Sequence, residues 1–412
     1  MTVDGFWSAL PRLAAIAIFA ATYVVIALGR LPGFRIDRAG AALLGASLMI
    51  ACGALDLGAA YRAIDFDTLA LLLGTMIVVA HLKLSGVFAL ATGWIATRVG
   101  GGFALLGFVV LLAGAASAFL VNDTVCLALT PLVLELAQRR GRDPTPFLLA
   151  LAMASNVGST ATITGNPQNI LIGSVSQIRY GDFALALGPI ALIGLVLVFL
   201  LIALRHRGAL AGAGATAARR ASRVHRPLAL KALGVTAAMI AGFFLFHPPA
   251  KVALVAGALL LLTRRIRPQR IYREIDWPLL VMFAGLFVVV AGLRQALPPD
   301  ALAAAARAWP LDRVPVLTAV SAVLSNLVSN VPAVLVLKPF IEPLADPRTA
   351  WLTLAMSSTL AGNFTVLGSV ANLIVVQRAQ RHGRAITFGA YFAVGAPLTL
   401  LTLALGAAWL TF

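Results

Sequence analysis

Hydrophobic residues in this chain are gathered into long runs that short polar segments separate. Clear examples occupy 13–28, 41–55, 183–204 and 388–410. A helix needs about 20 mostly apolar residues to cross a bilayer, and these runs approach or reach that length. A membrane β-barrel would instead show short segments of alternating polarity. The pattern therefore predicts an all-α polytopic membrane protein.

The order of the apolar elements in the first part of the chain predicts a structural unit over 1–204. This unit has three spans, an amphipathic stretch at 84–98, a hairpin at 102–138, a broken helix at 145–178 and a last span. The second span is expected at 39–58. The following segment, 205–227, is rich in Ala, Gly and Arg and has no apolar period. Such a composition is typical of a flexible linker.

The same order returns over 228–412, with an amphipathic stretch at 299–310, a hairpin at 314–341 and a broken helix at 350–377. Short sequence matches support a duplication. Segment 160–169 aligns with 363–372 at an offset of 203 (372 − 169), and Gly74 aligns with Gly285 at an offset of 211 (285 − 74). Paired Gly-interrupted segments in two halves indicate the binding site of a secondary transporter.

Positive charge is distributed in a way that predicts the topology. The formal net charge is +17, and arginines concentrate in 30–38, 139–142, 205–226, 264–273 and 378–384. One topology places all five segments in the cytoplasm, as the positive-inside rule favours. Both termini are then outside, and the second hairpin opens from the opposite side to the first, so the repeats are inverted. Basic residues spread in this way argue against a nucleic-acid partner.

The hairpins are predicted to be re-entrant loops that meet near the middle of the membrane. The arms of the second, 314–324 and 331–341, have eleven residues each, about half of a spanning helix at ~1.5 Å per residue. The arms of the first hairpin are longer and are also compatible with full spans.

Polar residues occupy the hairpin tips and the helix breaks. Asn122 and Asn330 mark the two tips, and Asn169 and Asn372 mark the two breaks. Irregular backbone at membrane depth is tolerated where it is buried in protein or lines a wet cavity. Oxygen atoms there suit a desolvated Na⁺, and half-helix N-termini suit an anion. The serines near the breaks are explained equally well by bonds to their own helix.

Asp123 is the acidic residue predicted to lie deepest in the membrane. An ionisable group there is costly and is a functional hypothesis by default. It is expected to carry a coupling proton or to bind a cation; the alternative is a carboxyl group neutralised by hydrogen bonds at the tip.

The sequence Ser-Asn-Val-Gly-Ser-Thr-Ala-Thr-Ile-Thr-Gly-Asn-Pro-Gln-Asn at 155–169 resembles the Gly-Thr-Ala-Thr…Gly…Pro-Asn signature of the ion transporter superfamily. That group includes arsenite permeases, sodium–dicarboxylate symporters, citrate–metal transporters and NhaD-type sodium/proton antiporters. Where the dicarboxylate branch has Ser-Asn-Thr at its tips, this chain has Val-Asn-Asp at 121–123 and Ser-Asn-Val at 329–331. The Asn-Asp pair is similar to the arsenite-permease branch, whereas the stretch 362–365 is not.

The resemblance implies that the tips and breaks bind the substrate and a coupling ion. Pattern and resemblance together give one candidate set: Asn122, Asp123, Thr124, Asn156, Gly158, Ser159, Thr160, Thr162, Gly165, Asn166, Asn169, Ser329, Asn330, Thr359, Gly362, Asn363, Thr365, Gly368, Ser369 and Asn372. No cofactor and no resident metal is expected, only a coupling Na⁺ or H⁺.

The sequence thus favours an ion-coupled secondary transporter of a small anion or oxyanion, of the anion-permease type, in the inner membrane of a bacterium. Relatives suggest a homodimer. The alternatives are a Na⁺/H⁺ antiporter that uses Asp123 and, less favoured, a passive channel. An enzyme is not expected, because the chain has neither H-E-x-x-H nor G-x-S-x-G. The P-loop of a primary pump is also missing from the sequence.

Overall fold

The computed structural model describes residues 3–29, 33–90, 93, 100–211, 225–297 and 309–412, with side chains from residue 11 onward. Within these ranges the fold is helical, without a β-strand. Seven of the described helices are long and apolar enough to cross a membrane. The second half of the predicted amphipathic stretch 84–98 falls largely outside the described residues, as do most of the stretch 299–310 and most of the predicted linker.

The helices of the first half are α1 Val3–Leu28, α2 Arg38–Ala51, α3 Leu57–Ala63, α4 Phe66–Ser85, α5 Gly102–Phe119, α6 Asn122–Arg139, α7 Thr145–Ser159, α8 Pro167–Ser176, α9 Tyr180–Arg205 and α10 Arg207–Ala211. Those of the second half are α11 Arg226–Leu245, α12 Pro249–Leu261, α13 Pro268–Tyr272, α14 Trp277–Ala296, α15 Val314–Val328, α16 Asn330–Ile341, α17 Pro347–Ala361, α18 Val370–Arg381 and α19 Phe388–Thr411.

Each half contains a helical hairpin followed by a broken helix. The hairpins are α5–α6 and α15–α16, and the broken helices are α7–α8 and α17–α18, each interrupted by one turn of 3₁₀ helix. The second span was predicted to cover 39–58, and its predicted C-terminal end is wrong. Helix α2 stops at Ala51, because Gly53 adopts a left-handed φ of 73° and Asp56 then caps the separate helix α3.

The helices form two bundles, and each bundle contains elements of both halves. The first bundle packs α1–α4 against α11, α12 and α14, and the second packs α5–α9 against α15–α19. In the first bundle α2 contacts α14 and α4 contacts α12, which is a reciprocal exchange of equivalent helices. In the second, α5 contacts α7 as α15 contacts α17.

Two glycines set the reciprocal crossings in the first bundle. A Cβ atom on Gly74 would lie 2.5 Å from the carbonyl oxygen of Ala253, and one on Gly285 would lie 2.7 Å from that of Ala42. The offset that relates Gly74 to Gly285 also relates Ala42 to Ala253 (253 − 42 = 211). The two crossings thus use residues that one sequence offset relates, which supports the predicted duplication.

Candidate functional site

A cavity of about 260 Å³ lies where the hairpin tips and the helix breaks meet. Asn122 and Asp123 of the first tip and Ser329 and Asn330 of the second line it, together with the breaks at 167–168 and 369–370. The facing wall comes from the first bundle and includes Asp37, Arg38, Asp276 and Met282. The cavity therefore lies between the two bundles, and both halves of the chain contribute to it.

Six of the described helices begin at this cavity: α2, α6, α8, α14, α16 and α18. The first backbone N–H groups of a helix have no partner within it, and the helix dipole adds partial positive charge at the same end. Helix N-termini are consequently common anion sites. Four of these N-termini carry a side-chain cap, whereas α6 and α16 carry none. The two hairpin tips therefore provide the uncapped backbone N–H groups that suit a small anion.

Two carboxylates on the first-bundle wall are already bound to their own helices. Asp37 accepts a hydrogen bond from the backbone N–H of Gly40 at 2.8 Å, and Asp276 accepts one from Leu279 at 3.1 Å. Asp123 differs, since it does not cap its own helix, lies beside the backbone N–H of Ala371 at the start of α18, and forms no ion pair with a described residue. It is half-buried at the start of α6.

Asn156, 1% exposed, is the centre of a buried network beneath the cavity. Its Oδ1 accepts hydrogen bonds from Asn122 Nδ2 and from Ser369 Oγ, both at 3.0 Å. Its Nδ2 donates to Asn363 Oδ1 at 2.9 Å and to Asn372 Oδ1 at 3.0 Å. One side chain thus connects the first hairpin tip to the second helix break.

Thr359 has the equivalent position in the second half, at the offset of 203 (359 − 156). Its Oγ1 accepts hydrogen bonds from Asn166 Nδ2 and Gln168 Nε2, both at 3.1 Å. It also lies 3.4 Å from Asn169 Oδ1, to which it donates. The two halves are therefore joined by two related sets of polar contacts.

Asn169 and Asn372 close the helix breaks instead of lining the cavity. Asn169 Nδ2 donates to the carbonyl oxygens of Ser159 and Thr162, both at 3.1 Å. Asn372 Nδ2 donates in the same way to Gly362 at 2.7 Å and to Thr365 at 3.2 Å. These carbonyls lose helical partners where the helix stops, and a buried unpaired carbonyl is costly. The amides satisfy them.

Asn122 and Asn330 occupy equivalent tips but differ in their partners. The Asn330 amide is oriented so that both its nitrogen and its oxygen have partners. Its Nδ2 donates to the carbonyls of Ser358 and Gly368, and its Oδ1 accepts from Gln168 Nε2 at 3.2 Å. Asn122 is 4% exposed, and its Oδ1 has no hydrogen-bond partner. The Asn122 side chain thus brings a buried acceptor without a partner to the edge of the cavity.

Several candidate residues serve packing or their own helix. A Cβ atom on Gly158 would lie 2.3 Å from the carbonyl oxygen of Gly114, and one on Gly165 would lie 2.1 Å from that of Ser159. Ser159 and Thr160 donate to the Asn156 carbonyl within α7. Thr162 donates to the carbonyl of Ala118. Thr124 is half-buried beside the first tip, and Gly362 and Gly368 approach each other across the second break.

Four cavity residues were not predicted from the sequence: Gln168, Asp37, Arg38 and Asp276. A signal existed for Asp276, since it precedes the third span of its half as Asp65 does at the same offset of 211 (276 − 65). Both aspartates cap the helix that follows. For Arg38, the concentration of arginines suggested only a topological role.

The positions of α4 and α14 relative to α8 support the predicted inversion of the repeats. Helix α8 begins at the cavity, and near its other end Ser174 Oγ donates to Asp65 Oδ2 at 2.6 Å. Asp65 starts α4, whereas the equivalent Asp276 starts α14 at the cavity. Equivalent helices thus start at different ends of α8. Inversion relative to a membrane stays a prediction, which these contacts support.

The profile of a family described as citrate transporter matches residues 23–361. The chain belongs to this family. Relatives match this chain over nearly the full length of both sequences. An uncharacterized transporter of Mycobacterium tuberculosis is 32% identical over 96% of this chain and 97% of its own. The silicon efflux transporter LSI3 of Oryza sativa subsp. japonica is 31% identical over 97% of this chain and 98% of its own.

Among solved structures, the YdaH transporter of Alcanivorax borkumensis matches with a TM-score of 0.62. The match covers 97% of each chain at 18% sequence identity, so it supports the fold alone. Together with the helices long enough to span a membrane, the family membership identifies the chain as a multi-pass membrane transporter.

Proposed function

We propose that this transporter moves a small anion or oxyanion by ion-coupled secondary active transport. The observation that carries the proposal is the convergence of six helix N-termini and two hairpin tips on one cavity between the bundles. Fixed backbone dipoles can replace the hydration shell of an anion without a strongly bound counter-ion. Movement of one bundle against the other would expose the cavity alternately to the two sides of the membrane.

Thermal unfolding of the purified protein in detergent tests this proposal. Carboxylates, sulfate, phosphate, arsenite and silicate are added singly, with and without Na⁺, at two pH values. A ligand at a hundred times its dissociation constant stabilises by about 2.7 kcal/mol. An anion that stabilises only with Na⁺ would support sodium-coupled symport. If none of these anions changes the unfolding temperature under any condition, the proposal loses its basis.

Na⁺/H⁺ antiport is the second candidate, and one observation favours it. Asp123 is a cavity carboxylate that pairs with no described base. In proteoliposomes with a pH gradient, the Asp123→Asn variant should then lose Na⁺-dependent proton movement. An anion symporter that does not use this carboxylate for coupling would keep gradient-driven uptake in the same variant.

We also propose an inner-membrane orientation with both termini outside and the basic segment 205–227 in the cytoplasm. The distribution of arginines supports this orientation. A reporter that is active only outside the cytoplasm, fused after Phe412, should be active. A matched fusion in the segment 212–224 should be inactive, and the opposite pattern would reverse the topology.

A further inference from the structure

We infer that Arg38 determines the specificity of the cavity for an anion with two neighbouring oxygen atoms, such as a carboxylate or an oxyanion. This inference rests on the proposed transport of an anion and names the side chain that would recognise its charge.

Arg38 lies at the start of α2 and contributes to the first-bundle wall. Arg38 is the only positively charged side chain among the described residues that line the cavity. Its guanidinium forms no ion pair within the described ranges. A partly buried guanidinium with free donors is costly unless an acceptor reaches it.

The guanidinium lies beside the end of α1. A Cβ atom on Gly29 would lie 3.8 Å from both Nε and one terminal nitrogen of Arg38. The planar group therefore packs beside the Gly29 backbone, at a distance where a Cβ atom would make an ordinary van der Waals contact with it. Gly29 has a left-handed φ of 77°, which favours glycine.

The neighbouring carboxylates form no ion pair with Arg38. Asp37 and Asp276 lie outside ion-pair distance of it and accept hydrogen bonds from their own helices. Asp123 is on the second-bundle wall and also forms no ion pair with Arg38. Arg38 therefore has no ion-pair partner among the described residues, although three aspartates line the same cavity.

The opposite wall carries an independent sign of a ligand. Asn122 Oδ1 is buried at the first hairpin tip and has no partner. A ligand that offers oxygen atoms to Arg38 and a donor or a bound cation to Asn122 would satisfy both walls at once. Because these walls belong to different bundles, such a ligand would connect them.

The fork of N–H donors on arginine matches two oxygen atoms of a carboxylate or oxyanion, whereas lysine provides a point charge. Two variants separate charge from geometry. Arg38→Gln removes both, and Arg38→Lys keeps the charge alone. Arg35→Gln is the matched control, because Arg35 is exposed, comes from the same arginine-rich segment and does not line the cavity.

The test measures binding of the stabilising anion, taken from the panel above, by its concentration dependence in thermal unfolding. Arg38→Gln should raise the dissociation constant about tenfold or more, because a charged hydrogen bond is lost. Arg38→Lys should lie between that variant and the wild type, and Arg35→Gln should match the wild type. Chloride should stabilise far less than the oxygen-bearing anion.

Unchanged binding in Arg38→Gln, with a clear response in the wild type, would overturn the role of Arg38 and leave the proposed function intact. An absence of any anion response in the wild type would overturn both. If Arg38→Gln does not fold, Arg38→Lys decides the matter, since wild-type affinity in that variant would show that two-oxygen recognition by Arg38 is not used.

Discussion

At the scale of single residues, asparagine performs two different tasks around the cavity. Asn122 presents an unpaired oxygen at the hairpin tip, while Asn169 and Asn372 pair carbonyls that the helix breaks leave free. The sequence predicted all of them as ligand-binding residues. It reveals where amides occur, but the carbonyl that each amide reaches depends on the path of the backbone through the break.

Asn156 should matter for stability more than its neighbours do. Asn156→Ala leaves the side chains of Asn122 and Ser369 without a buried acceptor, so we expect a loss of about 1–3 kcal/mol. Thermal unfolding in detergent measures it. Ser358→Ala is the control, because Ser358 is equally buried but donates only to the Leu354 carbonyl of its own helix. Equal losses in both variants would show that the network contributes nothing of its own.

Ser329 adopts φ 77° and ψ 160° at the second hairpin tip, a region that is almost restricted to glycine and costs about 1–3 kcal/mol for other residues. Ser329→Gly should therefore raise the unfolding temperature, whereas Ser329→Ala keeps the Cβ atom and should not. If the hydroxyl contacts the substrate, both variants bind it more weakly. A Ser329→Gly protein less stable than Ser329→Ala would contradict the assigned strain.

At the scale of helices, the lengths of the hydrophobic runs and the positions of the Gly-, Thr- and Asn-rich segments were sufficient to predict the order of long helices, hairpins and breaks. The short helix α3 and the early end of α2 were missed. Both depend on local signals, a left-handed Gly53 and a capping Asp56, inside a stretch whose hydrophobicity alone suggested continuity. Hydrophobicity reports burial in lipid or protein and is insensitive to a turn between two apolar helices.

The crossing of α4 and α12 should tolerate no side chain at Gly74. Gly74→Val places carbon atoms against the Ala253 backbone, which cannot move aside as a side chain can, so we expect a loss of about 3 kcal/mol or more. The yield of monodisperse protein and its unfolding temperature report the effect. Gly234→Val is the control, since a Cβ atom at this glycine in α11 would meet no atom within 4 Å. Similar damage in both variants would mean that the crossing is not the cause.

At the scale of the whole molecule, the contacts between the bundles are unequal at repeat-equivalent positions. Asp65 is bound by Ser174 of the other bundle, whereas its equivalent Asp276 faces the cavity. Arg294 pairs with Glu342 across the bundles at 3.2 Å, whereas its equivalent Lys83 pairs with Glu274 within the first bundle. These contacts join the bundles at the end away from the cavity, and at the cavity Tyr23 Oη also donates to the Pro332 carbonyl across the bundles at 3.2 Å.

A cross-link between the bundles at the end away from the cavity should stop transport and preserve binding. With Cys52 and Cys126 replaced by Ala, the pair Asp65→Cys and Ser174→Cys is oxidised, and uptake into proteoliposomes should fall to background and return on reduction. The control pair is Ser117→Cys and Ser155→Cys, because these hydroxyls are 3.0 Å apart within the second bundle. Full activity of the oxidised Asp65–Ser174 pair would show that the bundles need not separate there.

The contacts of Asn156 and Thr359 also have a consequence for how the protein is made. Asn156 finds two of its amide partners, Asn363 and Asn372, some two hundred residues further along the chain, so they leave the ribosome long after it does. Until then the first half enters the membrane with polar groups unsatisfied at its centre. Completion of the site must wait for the last part of translation, and a nascent chain arrested before Asn363 should be recognised as unfinished by membrane quality control.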